Sequence, residues 1–584
     1  MQNHNLINPQ QSVSDTQFGQ SYETAYQDFQ WATAAKTLLG ERAESNRFNQ
    51  FSVCIARHAK ASPTKTALLW HGKDNVREAY TFSALEAHAL KFAQALKKLG
   101  IEKGDRVFIY MERIPEVFFS TFGILRAGAI VGPLFSAFGP EAILDRLQDS
   151  QAKAIVISST LLPRLNAVRQ LLPDLEHVIV VNRNPESNDK LKNKEYCYNA
   201  LVEAESATEA GLPEITADCS SVMHYTSGTT AKPKGVLHRH QAVIAQAETS
   251  RMVLDLRPET DIYWCTADPG WVTGTSYGMF GPWALGCTML VYEGGFDASK
   301  WYELIAFYKV SVWYTAPTAI RMLMKAGDNL PKQFDLSTLR HLCSVGEPLN
   351  PEAILWGKAI LGRVFHDTWW QTETGSMHIC NYPVMPVKPG SMGKPFPGTE
   401  AAILSDDWHS LGAGEEGHLA IKPLSPSMFK AYWQKEALTQ SRFKNGWYIT
   451  GDRARRDDDG YYWFVGRADD VINTAGHLVG PFEVENALVE HPAVAEAGVI
   501  GKPDKDRLEI IKAFVSLKVG YTPSEELAGE IKQFVRKRLS AHAYPRELSF
   551  VENLPKTRSG KIMRRLLKAR ELGLPEGDLS TLED

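Results

Sequence analysis

From about residue 80 to residue 380, short runs of consecutive apolar residues alternate with stretches whose apolar positions recur every three or four residues. DRVFIYM (105–111), AKAIVIS (152–158), HVIVV (177–181), CTMLVYE (287–293) and VSVWYTAP (310–317) are short, β-branched and aromatic. They read as buried strands. YTFSALEAHALKFAQALKKLG (80–100) and PEAILWGKAIL (351–361) carry helical spacing. The most apolar stretch, residues 116–140, is interrupted by Arg126 and Pro133, so it reads as a buried helix running into a strand and not as a membrane span. Alternation of this kind predicts parallel sheets covered by helices.

Past residue 390 the texture changes. Pro- and Gly-rich KPGSMGKPFPG (388–398) leads into short strands such as GHLAIK (417–422) and a hairpin over DRARRDDDGYYWFVGR (452–467), whose three aspartates and Gly460 read as a solvated turn. A compact α+β unit of about a hundred residues follows. Its helices are expected at 481–491 and 524–540 and its strands at 495–501 and 510–518, with ELSFVENLP (547–555) following. The expected fold is therefore α/β: a large multi-layer N-terminal domain of sheets covered by helices, with a small β-barrel-like part, and then a small α+β domain. The boundary is placed between 1–466 and 467–584.

Bulk properties narrow the function. A chain of 584 residues exceeds what one core usually supports. A net charge of −4 and a pI near 6.5 argue against a nucleic-acid partner. Seven scattered cysteines without a C-x-x-C pair suit reduced thiols in the cytoplasm, with neither disulfide framework nor zinc knuckle. The polar N-terminus is not a signal peptide, and no membrane association is expected.

YTSGTTAKPKG (225–235) buries almost nothing apolar. Its glycines admit close backbone approach, its hydroxyls donate hydrogen bonds and its lysines add charge, which together describe a phosphate cradle. The G-x-x-x-x-G-K-[ST] spacing is not met. From these residues alone, a mobile Thr/Gly surface loop is an equal reading. Its expected context is strand, loop, helix, with SSVMHYTSG (220–228) before it and HRHQAVIAQAETSRMVLDL (238–256) after it.

Six further segments follow in order: ADPGWVTGTSYG (267–278), SVGEPLNPEA (344–353), DTWWQTETG (367–375), WYITGD (447–452), GRADDVINTAGH (466–477) and LPKTRSGKIMRR (554–565). Together with the loop they resemble the adenylate-forming superfamily of acyl-CoA synthetases, luciferases and peptide-synthetase adenylation domains. The fit is nearest to its AMP-forming acetate–CoA ligases and covers about residue 50 to the end.

The resemblance implies two half-reactions: a carboxylate and ATP give acyl-AMP and pyrophosphate, and the thiol of coenzyme A then releases AMP. No protein nucleophile is needed. It assigns Thr226, Ser227, Gly228, Thr229, Thr230 and Lys234 to the β- and γ-phosphates. Gly346, Glu347, Pro348 and the run Asp367, Thr368, Trp369, Trp370, Gln371, Thr372 line the adenine pocket. Glu373 is the Mg²⁺ carboxylate, Asp452 binds the ribose hydroxyls and Arg467 contacts ribose or phosphate. Lys561 is the lysine required for adenylation, and so a site for a lysine acetyltransferase and deacetylase.

Asp469 falls at the hinge about which the small domain turns between half-reactions. One orientation brings Lys561 to the phosphates, and the other brings Gly476 to the pantetheine tunnel beside Thr273. Arg536 matches a coenzyme A contact, although an exposed helical arginine reads nearly as well. Trp370 closes the acyl pocket with Val272, Thr273 and Val345 as its other walls, so the implied substrate is acetate or a similarly small acid such as propionate.

Three departures stand out. Ala231 replaces a glycine, Asp297 replaces an asparagine near the coenzyme A tunnel, and Leu478 stands where the synthetases have a phosphate-gripping arginine. They keep open a ligase for another small acid and a non-catalytic binder of acyl-AMP or coenzyme A.

Overall fold

The computed structural model describes residues 6–184, 194–226, 233–474, 477–505, 507–539, 543–557 and 561–576, together with 579 and 582. Ser227, Gly228, Thr229, Thr230, Ala231 and Gly476 lie outside the described residues, as does the side chain of Leu478. Two large sheets dominate. One runs in parallel through Phe365–Trp369, His341–Val345, Val312–Thr315, Ile262–Cys265, Thr288–Tyr292 and Thr66–His71, with antiparallel strands at both edges. The other runs in parallel through Ser220–Thr226, Ile130–Leu134, Arg106–Tyr110, Ala154–Ser158, His177–Val181 and Glu195–Cys197.

One apolar core joins the two sheets. It takes Leu68 and Val312 from the first, Val107 and Val156 from the second, and fills the space between with helices Phe82–Lys98, Pro115–Arg126 and Ala242–Met252. Pro115–Arg126 and Ala242–Met252 are buried on nearly every face because both sheets need covering, whereas Phe82–Lys98 keeps a polar side with Glu86, Lys91 and Lys97. Pro115–Arg126 and the strand Ile130–Leu134 are the buried helix and strand expected of the most apolar stretch. Among the described residues no helix is long and apolar enough to cross a membrane.

The phosphate-loop candidate does not open a helix. Ser220–Thr226 turns back through the loop into an antiparallel strand, Lys234–Arg239, with Thr226 opposite Lys234, and the helix starts only at Ala242. Gly235, Val236, Leu237 and His238 are all buried, and β-branched and apolar residues in such a run pair as strand before any helical turn can form. The described strands on either side are thus the two arms of a hairpin, and among the described residues no helix starts before Ala242.

A five-stranded antiparallel sheet (Ala401–Leu404, Glu416–Ile421, Phe443–Lys444, Trp447–Arg456, Tyr462–Arg467) stands where the small β part was expected. In its hairpin turn Asp457 is more than solvated: Lys388 Nζ reaches it at 2.7 Å and Trp463 Nε1 donates to it at 3.0 Å.

The C-terminal unit has its own five-stranded sheet and core, with helices Pro481–Val489, Glu525–Arg538 and Arg564–Leu572. It abuts the preceding sheet closely. A Cβ on Gly480 would lie 2.1 Å from the Val465 carbonyl oxygen, and Phe464 and Phe482 meet edge to face at 6.1 Å.

Candidate active site

The cleft is built where strand ends of the first large sheet meet the third sheet and the C-terminal unit. Its centre is Asp452, buried on Trp447–Arg456. Trp369 Nε1 and Gln371 Nε2 donate to its Oδ2 at 3.1 and 2.9 Å, and Tyr448 Oη donates to Gln371 Oε1 at 3.1 Å. Arg467, paired across the hairpin with Asp452, brings Nε to 3.6 Å from Oδ1. Burial raises the Asp452 pKa, and Arg467 and then Lys561 act against it. The carboxylate is therefore held in place by two neutral donors, with two cations opposing the effect of burial.

Lys561 comes from about a hundred residues further along the chain. It is exposed to the cleft, yet enough protein encloses it that desolvation lowers its ammonium pKa. Arg467 and Arg564 lower it further, while Asp452 and Glu347 oppose them. The C-terminal unit thus stands with Lys561 turned into the cleft. Arg564 holds that arrangement from below, donating from Nε to Glu485 at 2.8 Å with Asp470 3.9 Å away. Asp469 is exposed, 3.6 Å from Arg467 Nε, in the turn where Asp470 N and Val471 N both donate to the Arg467 carbonyl.

At one end of the cleft Gly346 takes φ +96° with nothing within 4 Å of a built Cβ, which leaves open space beside the backbone. The carboxylate of Glu347 is engaged by Thr318 at 2.6 Å and Arg321 at 2.8 Å, and Pro348 is half-buried next to it. Asp367 is buried and its pKa is pushed up to about 8 by that burial. Thr368 Oγ1 donates to the Ser344 carbonyl at 2.8 Å and meets Tyr314 Oη at the same distance.

At the other end stand Thr226, Lys234 and Glu373. Lys234 Nζ lies 5.9 Å from the centre of the Tyr432 ring, whose hydroxyl donates to Glu373 Oε1 at 2.8 Å. Desolvation lowers the Lys234 pKa, Arg442 is the strongest charge acting on it, Lys435 and Arg467 add to that effect, and Glu373 opposes them. Cations therefore outnumber carboxylates here, an arrangement that calls for a polyanion. The turn carrying Thr372 and Glu373 is pinned by buried His238, with Nε2 2.8 Å from the Thr372 carbonyl and Nδ1 3.1 Å from that of Ser427. Gly375, at φ +68°, makes room for that ring, since a Cβ there would come within 2.9 Å of His238 Cε1.

Trp370 faces away from Asp452. Its Nε1 donates to Tyr314 Oη at 3.2 Å and its ring meets Tyr277 edge-on at 5.1 Å. Val345 is buried on the strand between Tyr314 and Thr368. Val272 and Thr273 are half-buried in the first turn of Val272–Thr275, just over one turn before Tyr277. Arg536 is exposed on Glu525–Arg538 with its guanidinium 5.5 Å over Tyr544, and no contact among the described residues ties it to Thr273. Asp297 caps helix Ala298–Tyr308, accepting Lys300 N at 2.7 Å, a structural task that suits a carboxylate at a helix N-terminus.

Residues 55–433 match the AMP-binding enzyme family, and residues 483–561 match the AMP-binding enzyme C-terminal domain. The chain belongs to the AMP-binding enzyme family. It is 50% identical over 566 residues to an acetyl-coenzyme A synthetase of Bacillus subtilis, covering 97% of both chains. It is also 42% identical to an acetyl-coenzyme A synthetase of Methanothrix thermoacetophila, over 94% of this chain and 86% of that one. Among solved structures, an anthranilate CoA ligase in complex with anthranoyl-AMP superimposes with a TM-score of 0.82 at 31% identity, over 90% of this chain and 98% of that one. A Brucella canis acyl-CoA synthetase gives 0.73 at 37%, over 95% and 99%.

Sequence reading missed three residues of this cleft. Tyr314 backs Trp370 from within an apolar run, where an aromatic reads as core, and Tyr277 stands near the end of ADPGWVTGTSYG, where only the neighbouring Val272 and Thr273 are singled out. Arg442, in the unremarkable polar stretch QSRFKNG, offers no spacing signal at all.

Proposed function

We propose that the chain is an AMP-forming acid–thiol ligase that activates acetate with ATP and passes the acetyl group to coenzyme A. The observation that carries this reading is the convergence of Lys561, Arg467, Asp452, Glu373 and Lys234 on one cleft, from segments more than 300 residues apart in the chain. The names borne by its relatives at 50% and 42% identity support acetate as the acid. The names of those relatives also speak against a non-catalytic binder.

In the first half-reaction an acetate oxygen attacks the α-phosphorus, the bond to the oxygen bridging the α- and β-phosphates breaks, and pyrophosphate leaves with its electrons. Charge on the phosphoryl oxygens is met by Lys234 and by Lys561 across the cleft. Asp452 accepts hydrogen bonds from the ribose hydroxyls, fixing the nucleoside so that acetate approaches in line. The space at Gly346 takes the adenine.

Glu373 suits Mg²⁺. Tyr432 occupies one of its oxygens, the other accepts no hydrogen bond among the described residues, and such ions take few protein oxygens beside phosphates and water. When bound, Mg²⁺ supplies neutralisation of polyphosphate charge. Trp370, Tyr314 and Val345 shorten the acyl pocket to a two- or three-carbon acid.

In the second half-reaction the thiol adds to the acetyl carbon and AMP leaves. The C-terminal unit, 467–584, turns about Asp469 to present Gly476 to the thiol's tunnel by Thr273, with Arg536 at the coenzyme A nucleotide. The enzyme acts in the cytoplasm, where Lys561 is also open to a lysine acetyltransferase and deacetylase. Pyrophosphate exchange across C2 to C6 acids tests the reading: exchange with acetate above all others is expected, and exchange with none of them overturns it.

A further inference from the structure

Four cationic side chains gather at the Glu373 end of the cleft, and three have evident partners or roles. Lys234 faces the Tyr432 ring, Lys435 is 2.8 Å from Asp149 and Arg467 sits against Asp452. Arg442 has no anionic partner of its own. Among the described residues no carboxylate lies within ion-pair distance of it, its Nε is buried without a hydrogen-bond partner, and its Nη2 makes a long 3.4 Å contact to the Thr450 carbonyl.

Its position is also specific. A Cβ built on Gly451, itself at φ +80°, would lie 3.4 and 3.6 Å from the Arg442 guanidinium nitrogens and 3.7 Å from an Arg467 nitrogen. Two guanidinium groups from different elements therefore converge on one glycine, between Asp452 and Glu373. Like charges placed this close repel unless an anion joins them. The planar fork of arginine matches two phosphate oxygens at once.

We infer that Arg442 is a polyphosphate-binding residue, closing with Lys234 and Arg467 around the β- and γ-phosphates during the first half-reaction. This rests on the ATP-dependent reading above. Thioester formation does not need it, because pyrophosphate has by then departed.

The experiment compares the full chain with Arg442→Gln and Arg442→Lys in two assays: pyrophosphate exchange with acetate at varied ATP, and thioester formation from supplied acetyl-AMP. Arg442→Gln is expected to lower kcat/KM for ATP roughly 10- to 100-fold, the range for losing a charge-assisted hydrogen bond. Arg442→Lys should recover part of it, and thioester formation should stay within about twofold in both.

Arg442 also neighbours Tyr432, so Tyr432→Phe separates direct binding from support of Glu373. An ATP defect in Tyr432→Phe clearly smaller than that of Arg442→Gln supports direct binding. An ATP defect in Tyr432→Phe equal to that of Arg442→Gln overturns it. Equal loss in both half-reactions of Arg442→Gln, or an unchanged ATP dependence, overturns it as well. If the unmodified chain exchanges pyrophosphate with no acid, the proposed function itself fails, an outcome distinct from these.

Discussion

The Glu373 end of the cleft and the wall around Trp370, proposed to take phosphate and acyl group respectively, are built on opposite principles. The phosphate end is a half-exposed gathering of cations (Lys234, Arg442, Arg467, Lys561) drawn from a hairpin, a polar loop, a second hairpin and a separate domain. The acyl end is a packed wall of Trp370, Tyr314, Tyr277 and Val345, taken from adjacent strands and one helical segment behind them. Charge acts over several ångströms and tolerates movement, so the phosphate end can be completed by a domain that comes and goes. Dispersion and steric exclusion act only in contact, so the acyl end must be rigid. On the proposed reading, one end supplies rate and the other supplies choice.

The largest effect is expected where the mobile cation is removed. Lys561→Ala should reduce acetyl-AMP formation by roughly 10²- to 10³-fold, the usual loss when one donor to developing charge is deleted. Thioester formation from supplied acetyl-AMP should stay near normal. Because enclosure lowers the Lys561 pKa, adenylation should also fail at a pH below that at which an ordinary lysine, near 10.5, loses its proton. Asp469→Pro is the converse test: proline fixes φ in the turn, and a unit frozen in the orientation described should keep adenylation and lose thioester formation. Single-turnover measurement of each half-reaction decides both, and equal loss of both steps in both variants would contradict a moving domain.

A change of choice without loss of rate should come from the rigid end. Trp370→Gly removes a wall and touches no cation. Each methylene accommodated in such a pocket is worth about 1–3 kcal/mol. Preference should therefore swing from acetate towards four- or five-carbon acids by tens-fold, with KM for ATP nearly unchanged. Competition between acetate and valerate for exchange reads this directly. An unaltered ratio would remove Trp370 from the acyl wall.

The same contrast explains what the sequence made legible. The rigid parts announce themselves: buried strands such as Ala154–Ser158 and His177–Val181, and the helix Phe82–Lys98, follow from local apolar periodicity. Lys234–Arg239 was hidden, because the histidines and arginine around a short apolar run blur strand into the following helix. Trp370 and Lys561 were legible only through family resemblance, since an aromatic and a basic stretch have ordinary local readings. Arg442 and His238 were not legible by either route. Their roles come from three-dimensional convergence, at Gly451 for one and between two carbonyl oxygens for the other.

A smaller gain is expected at Leu478. Its backbone pairs with Asn473 in the hairpin Ile472–Val479, between the turn at Asp469 and helix Pro481–Val489. If this position faces the phosphates, Leu478→Arg adds a charge-assisted hydrogen bond of about 1.5–3 kcal/mol. Adenylation should then gain roughly ten- to hundredfold in kcat/KM for ATP, with the larger figure excluded if Arg442 already meets the same oxygens. Thioester formation should change less. A lower melting temperature with no kinetic gain would instead mean that an arginine there is buried without a partner.

The smallest effect concerns stability and lies at the Gly346 end of the cleft. Asp367 is buried on Phe365–Trp369, and burial raises its pKa from 3.8 to about 8. A carboxyl raised in the folded state binds its proton more tightly folded than unfolded. Its contribution is therefore fully present below about pH 4 and is lost as pH climbs through about 8. Each tenfold difference in proton affinity between the folded and unfolded chain is worth about 1.4 kcal/mol, so several kcal/mol are at stake across that window. Asp367→Asn cannot ionise and should flatten this part of the pH dependence. In so large a body one kcal/mol moves Tm by no more than about 2 °C. The variant should therefore gain a few degrees on the parent chain between about pH 5 and pH 8.5, whatever its stability at the acid end of that range. Melting both proteins across that range measures the difference. Parallel curves would mean that Asp367 is ionised at neutral pH, held charged by the Thr368 and Leu349 N–H groups that face it.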